Sequence, residues 1–149
     1  MGLSNNPAKN NTRVIPESFG KSVLLIRRLL ARADLSIVNE FNLSSEPCLQ
    51  LVVARRSCTV LLVDTPVLLF EAIALDRVAA VFLPIHIVIS GDHDKSYVHW
   101  ANPIASSGLR SPVAARYVLD DLYVRISEAL SELPQTVESP AQPNARPLG

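Results

Sequence analysis

The stretch that decides the fold is Ile85-His86-Ile87-Val88-Ile89-Ser90-Gly91-Asp92-His93-Asp94-Lys95-Ser96-Tyr97-Val98-His99-Trp100-Ala101. Its alternation of side chains predicts a strand from Ile85 to Ile89, a turn over Gly91-Asp92-His93-Asp94, and a return strand from Tyr97 to Ala101. Successive residues of a strand point to opposite faces. Ile85, Ile87 and Ile89 therefore share one face, and His86, Val88 and Ser90 the other. On the return strand Val98 and Trp100 share a side, as do Tyr97, His99 and Ala101. The register that places apolar against apolar sets the three isoleucines with Val98 and Trp100. His86 and His99 then project together from the second face, as direct or diagonal neighbours.

On the N-terminal side of this hairpin, Cys58 to Val63 reads as a buried strand, β-branched or leucine at nearly every position. It runs into Asp64-Thr65-Pro66, a helix start. Thr65 can cap, and Pro66 takes the first helical position, where its missing N–H costs nothing. The helix from Pro66 to Leu75 is apolar nearly all round, with Glu71 its one charge, and such a helix is expected to be covered on most sides. Earlier still, Thr12 to Ile15 is a short strand stopped by Pro16. Ser18 caps a helix reaching about Ala33, with Phe19, Val23, Ile26, Leu30 and Ala33 on one face. Leu35 to Phe41 alternates as a strand. Cys48 to Ala54 suits a helical turn or a strand equally well. Beyond the hairpin, Ser111 and Pro112 open a last helix whose inward stripe is Ala115, Leu119, Leu122, Ile126, Ala129, Leu130 and Leu133.

The predicted order is β-α-β-x-β-α-β-β-α, where x is the undecided segment. The expected class is α+β: a two-layer sandwich of a mostly antiparallel sheet with helices packed on one face. The 149 residues fit one domain, over residues 12–133. Residues 1–11 are Asn-rich and polar and are expected to form a disordered arm. Residues 134–149 carry Pro134, Pro140, Pro143 and Pro147 and are expected to form a disordered tail.

Composition narrows the partners. Fourteen basic and fourteen acidic side chains cancel, with no basic stripe of the kind phosphate contacts require. Aromatics at 5% are too few for a base-stacking platform. No apolar run reaches the roughly 18 residues a bilayer span needs. The expectation is therefore no nucleic acid and no membrane. With no export signal, Cys48 and Cys58 are expected as reduced thiols in a cytoplasmic protein. Hydrophobic residues at 48% and a mean hydropathy of +0.24 are high for a small domain. The surplus apolar surface must be hidden in the core or against another copy.

The run Cys58-Thr-Val-Leu-Leu-Val-Asp-Thr-Pro66, the apolar helix after it, and Phe82-Leu-Pro-Ile-His-Ile-Val-Ile-Ser90 resemble the core of the domain of unknown function 302 family. Asn102-Pro103 stands at that family's Asp-Pro-type turn, and Ser111 to Leu133 supplies its last helix. The resemblance spans residues 12–133. It implies a TATA-binding-protein-like α+β fold and a tendency to homodimerise, and it implies no activity. Ile85 stands where the family often has a cysteine, followed by His86, and Ser44 to Ser57 matches the family's connection poorly.

The sharpest constellation for chemistry is His86 and His99 with Tyr97 beside them. Two imidazoles can hold Zn²⁺ if a third ligand such as Asp64 or Cys58 comes close, or one can serve as a general base. The plainer alternative is a pair of hydrogen-bonded surface histidines facing solvent or a second copy. Asp64 and Thr65 read first as helix caps, though the helix start can also hold an anion. Cys58 reads as an inert thiol raised in pKa by burial. Asp92, His93 and Asp94 read as turn chemistry, since a calcium loop needs more length and more carboxylates. With five glycines in the chain there is no phosphate-cradling loop. The expectation is a homodimeric module that binds a small ligand through His86, His99, Tyr97, Asp64 and Thr65. The alternatives are a small metal-dependent or acid–base enzyme built on His86 and His99, and an adaptor acting through its C-terminal tail. No cofactor, substrate or reaction is specified by the residues.

Overall fold

The structure, a computed structural model, describes residues 11–43, 56–75, 77, 83–102 and 113–134. The undecided segment Cys48 to Ala54, the N-terminal arm before residue 11 and the tail after residue 134 lie outside them. The elements in chain order are β1 (Asn11–Ile15), α1 (Phe19–Arg32), β2 (Ser36–Asn42), β3 (Ser57–Asp64), α2 (Pro66–Leu75), β4 (Ile85–Gly91), β5 (Ser96–Trp100) and α3 (Val113–Leu130). The five strands form one sheet in the order β1-β5-β4-β3-β2, and every neighbouring pair is antiparallel. β1 begins at Asn11, one residue inside the predicted arm. The rest is the α+β sandwich the pattern predicts.

The hairpin register is the expected one. Ile87 pairs with Trp100 and Ile89 with Val98, and all four are buried. On β3 the same inner row is Thr59, Leu61 and Val63, also buried. Helices cover this side. α3 contributes Val118, Leu119, Leu122, Ile126 and Leu130 to the core, followed by Leu133 just past its end. The indole N–H of Trp100 donates to Ser127 Oγ on α3 at 3.0 Å, so the bulkiest core residue has its polar atom satisfied.

Several local devices fix where the elements start and stop. Ser18 Oγ accepts from the Lys21 N–H at 3.4 Å and caps α1. α1 ends where Asp34 takes a left-handed φ of 57°, which lets the Leu35 N–H reach back to the Leu30 carbonyl at 3.0 Å. The face α1 buries centres on Ser22, Ile26, Leu29 and Leu30, with Phe19, Val23 and Ala33 at its margin. Its stripe is thus rotated slightly from the one periodicity suggests. β2 carries a bulge between Ile37 and Asn39, which turns Val38 outward. Across the edge of the helix layer, Arg27 of α1 pairs with Glu40 of β2, and Thr59 Oγ1 donates to the Phe41 carbonyl at 3.0 Å.

The hairpin turn is held by Asp92. Its carboxylate accepts from the N–H groups of Asp94 at 2.9 Å and Lys95 at 3.1 Å, and these bonds lower its pKa from the ordinary carboxylate value. The Asp92 carbonyl in turn accepts from Phe19 N–H at 2.9 Å, tying the turn to the first residue of α1.

α2 corrects an expectation. Composition predicts a helix covered on most sides, yet only Leu68 and Ala72 are buried, while Val67, Phe70, Ile73 and Leu75 are exposed, Phe70 by 76%. The helix packs against α3 from the margin of the helix layer, so among the described residues one face finds a partner while Val67, Phe70, Ile73 and Leu75 stay exposed.

Two substitutions test this packing. A Cβ on Gly91 would lie 2.5 Å from the Lys95 carbonyl oxygen and 2.9 Å from Ser96 Cα, both backbone atoms. Gly91→Ala is therefore expected to destabilise by about 1–3 kcal/mol, as overpacked sites do. Ser22 Oγ is buried without a hydrogen-bond partner among the described residues. Ser22→Ala relieves that desolvation cost and improves helix propensity, and should stabilise by about 1 kcal/mol. Chemical denaturation with an unchanged m-value checks both.

Candidate functional site

The second face of the sheet carries its side chains in cross-strand rows. Pairing aligns Phe41, Val60, Val88, His99 and Thr12 across all five strands. On one side of that row lie Asn39, Leu62 and His86. On the other lie Cys58, Ser90, Tyr97 and Val14. No described helix packs on this face: the inner rows, not these, enter the core cluster. Val14, Val60, Leu62, Val88 and Tyr97 are half-buried, and Phe41 is exposed.

His86 and His99 share this face, as diagonal neighbours: His99 stands directly opposite Val88, two residues along β4 from His86. Both line a shallow depression of about 340 Å³, together with Thr12, Val88, Trp100 and Ala101. Thr12 Oγ1 lies 2.9 Å from His99 Nδ1. That hydroxyl is a partner that sequence reading misses. β1 and β5 are far apart in the chain, and no local pattern near Thr12 signals that the two edge-side strands pair.

The other predicted residues are placed as follows. Tyr97 lies on the same face, one row from His99 on β5, with the Lys95 ammonium 5.7 Å from its ring centre. Asp64 and Thr65 sit at the end of β3 and do not line the depression. Asp64 is buried; its Oδ1 accepts from the Thr65 N–H at 2.6 Å. Thr65 Oγ1 accepts from Leu68 N–H at 3.2 Å, which makes it the cap of α2. Cys58 faces the uncovered side rather than the core, half-buried beside Ser90. Burial pushes its thiol pKa up, away from nucleophilic thiolate character. Among the described residues no three His, Cys, Asp or Glu side chains come together as a metal-binding group. The third ligand that the two histidines need is therefore not supplied by Asp64 or Cys58.

A family model, the domain of unknown function DUF302, matches residues 11–133, and the chain belongs to that family. It is also similar in fold to the crystal structure of an uncharacterized conserved protein DUF302 from Bacillus stearothermophilus. That likeness has a TM-score of 0.73 at 13% identity and covers 84% of this chain and 98% of the other. No curated protein matches the chain. No helix among the described residues is long and apolar enough to cross a membrane.

Asp64 gives the fold a pH dependence of definite sign. Burial raises its pKa above the ordinary carboxylate value, and the Thr65 N–H bond offsets this only in part. The folded state therefore holds the proton to higher pH than the unfolded state. The stability Asp64 contributes is full below its unfolded pKa and is lost as pH rises through the folded one. Asp64→Asn keeps an oxygen for Thr65 without the charge. It should abolish this contribution, so in denaturation series the stability difference between variant and parent should grow in the variant's favour as pH rises above the ordinary carboxylate range. A difference independent of pH would contradict the assignment.

Proposed function

We propose that the chain works as a homodimeric binding module of the cytoplasm, with the uncovered sheet face as its working surface and the His86–His99 depression as the place where a small ligand is held. The observation that carries this reading is the row Phe41-Val60-Val88, with Leu62 next along β3 from Val60, on a face that no described helix covers. An antiparallel sheet commonly has one face packed and the other solvated, and the solvated face is then polar. Here the outer rows keep valine and leucine on the inner strands β3 and β4, with Phe41 beside them on the β2 edge.

The dimensions suit a second copy. Five strands at about 4.8 Å spacing and about 3.3 Å rise per residue make a face of roughly 25 by 20 Å. With side-chain relief, that is on the order of the ~800 Å² each partner contributes to a standard interface. Two such faces would stack about 10 Å apart, like the sheets of a sandwich. The half-buried Cys58 needs only a reducing compartment to remain a thiol.

Sedimentation equilibrium in the presence of EDTA tests the dimer. A dimer with a dissociation constant in the micromolar range or tighter is expected. Val60→Lys, which puts a charge in the centre of the face without touching the core, should give a folded monomer. Phe70→Lys, on the exposed side of α2, should leave the dimer intact. A monomer throughout, or a dimer broken by Phe70→Lys and spared by Val60→Lys, would move the working surface off the sheet.

A further inference from the structure

We propose that His86 and His99 are one half of a divalent transition-metal site that the same two histidines of a second copy complete, so that one ion bridges two chains. The proposal rests on the sheet face being the dimer surface, and it specifies what the depression on that face takes.

The coordination arithmetic is the first argument. Zinc and its neighbours in imidazole sites take four ligands in tetrahedral geometry. The described part of one chain offers two histidines lining one depression and no third His, Cys, Asp or Glu beside them. A homodimer with two-fold symmetry presents the same patch twice, and doubling two gives four. The position of the pair is the second argument. β4 is the middle strand of five, and β5 is its neighbour, so a two-fold axis through the His86–His99 diagonal passes near the middle of the face. Phe41, Val60 and Leu62 lie to one side of that axis. With sheets about 10 Å apart, each histidine has to reach roughly half that distance to meet a shared ion.

The third argument is how His99 is held. A histidine that ligates a metal almost always has its other ring nitrogen hydrogen-bonded, which fixes the ring and the tautomer. Thr12 Oγ1 stands 2.9 Å from Nδ1 of His99. With Nδ1–H donating to that hydroxyl, Nε2 presents its lone pair as the ligand. Binding needs no change of oxidation state and releases only whatever protons the imidazoles carry.

The test uses the full chain without an affinity tag, chelator-treated and titrated with Zn²⁺, and with Co²⁺ as a spectroscopic probe. The expected result is a stoichiometry of one ion per two chains, an intense visible Co²⁺ spectrum of tetrahedral type, and a tighter dimer by sedimentation. His86→Ala and His99→Ala should each weaken binding by well over 10-fold, with circular dichroism unchanged. Thr12→Val, which removes only the partner of His99, should weaken it by about 10-fold. His93→Ala lies in the turn at the far end of the hairpin and should bind as the parent does. One ion per chain without a change in association, or binding that His93→Ala abolishes and His86→Ala spares, would overturn the proposal. A chelated protein that is dimeric yet takes up no metal would overturn it while leaving the dimer surface standing. A protein monomeric with and without metal would overturn both.

Discussion

The register of β4 against β5 is the constraint on which the rest depends. Ile87 opposite Trp100 and Ile89 opposite Val98 put five large apolar side chains, with Ile85, beneath the helices. A slip of one residue would send all of them to the other face and bring His86 and His99 into the core. The turn resists that slip. Asp92 accepts from two successive backbone N–H groups, its own N–H donates to the Lys95 carbonyl at 3.0 Å, and Gly91 lets the two backbones approach more closely than any Cβ permits. Trp100 is then fastened to α3 through Ser127, and Ser96 Oγ donates to the Glu17 carbonyl at 2.9 Å. The hairpin is thus tied to both the first and the last helix.

From that register the division of the molecule follows. Inner rows meet helices, and outer rows meet none that are described. Along the β2 side of the inner layer polar groups are paired: Glu40 with Arg27 and with Thr59 at 3.3 Å. On the outer layer β3 carries Val60 and Leu62, while His86, His99 and Thr12 run from the middle strand β4 to the β1 edge and Asn39 stands at the other edge. An apolar patch with an imidazole cluster beside it is the arrangement that the proposed dimer surface and the proposed ligand site would share.

Much of this was legible from residues. Period-two alternation sorted Ile85, Ile87 and Ile89 from His86, Val88 and Ser90, and Thr65-Pro66 announced the start of α2 at the residue where it begins. The features that were not legible depend on distance in the chain or on neighbours. Composition says that α2 is apolar, but burial depends on what stands beside it, and from the margin of the layer it buries only Leu68 and Ala72. The strand order brings β1 beside β5, and only that brings Thr12 to His99. The bulge at Val38 of β2 has no glycine to signal it. Whether a third ligand joins the histidines is likewise a tertiary fact: Asp64 is two residues beyond the partner of His86 on β3, yet its carboxylate is engaged by the Thr65 N–H.

The cysteine that the family resemblance leads one to expect at position 85 bears on which face carries chemistry. Position 85 belongs to the inner row, opposite Val63, and is 2% exposed. A thiol there would sit beneath the helices, on the opposite side of the sheet from His86 and His99. Exchanging cysteine for isoleucine at that point alters core packing and leaves the outer rows as they are. A site on the uncovered face therefore does not depend on that cysteine, and its loss is no argument that the face is idle. What the face requires is the residue after it, because the strand period carries position 86, and with it the imidazole, to the side where His99 and Thr12 already stand.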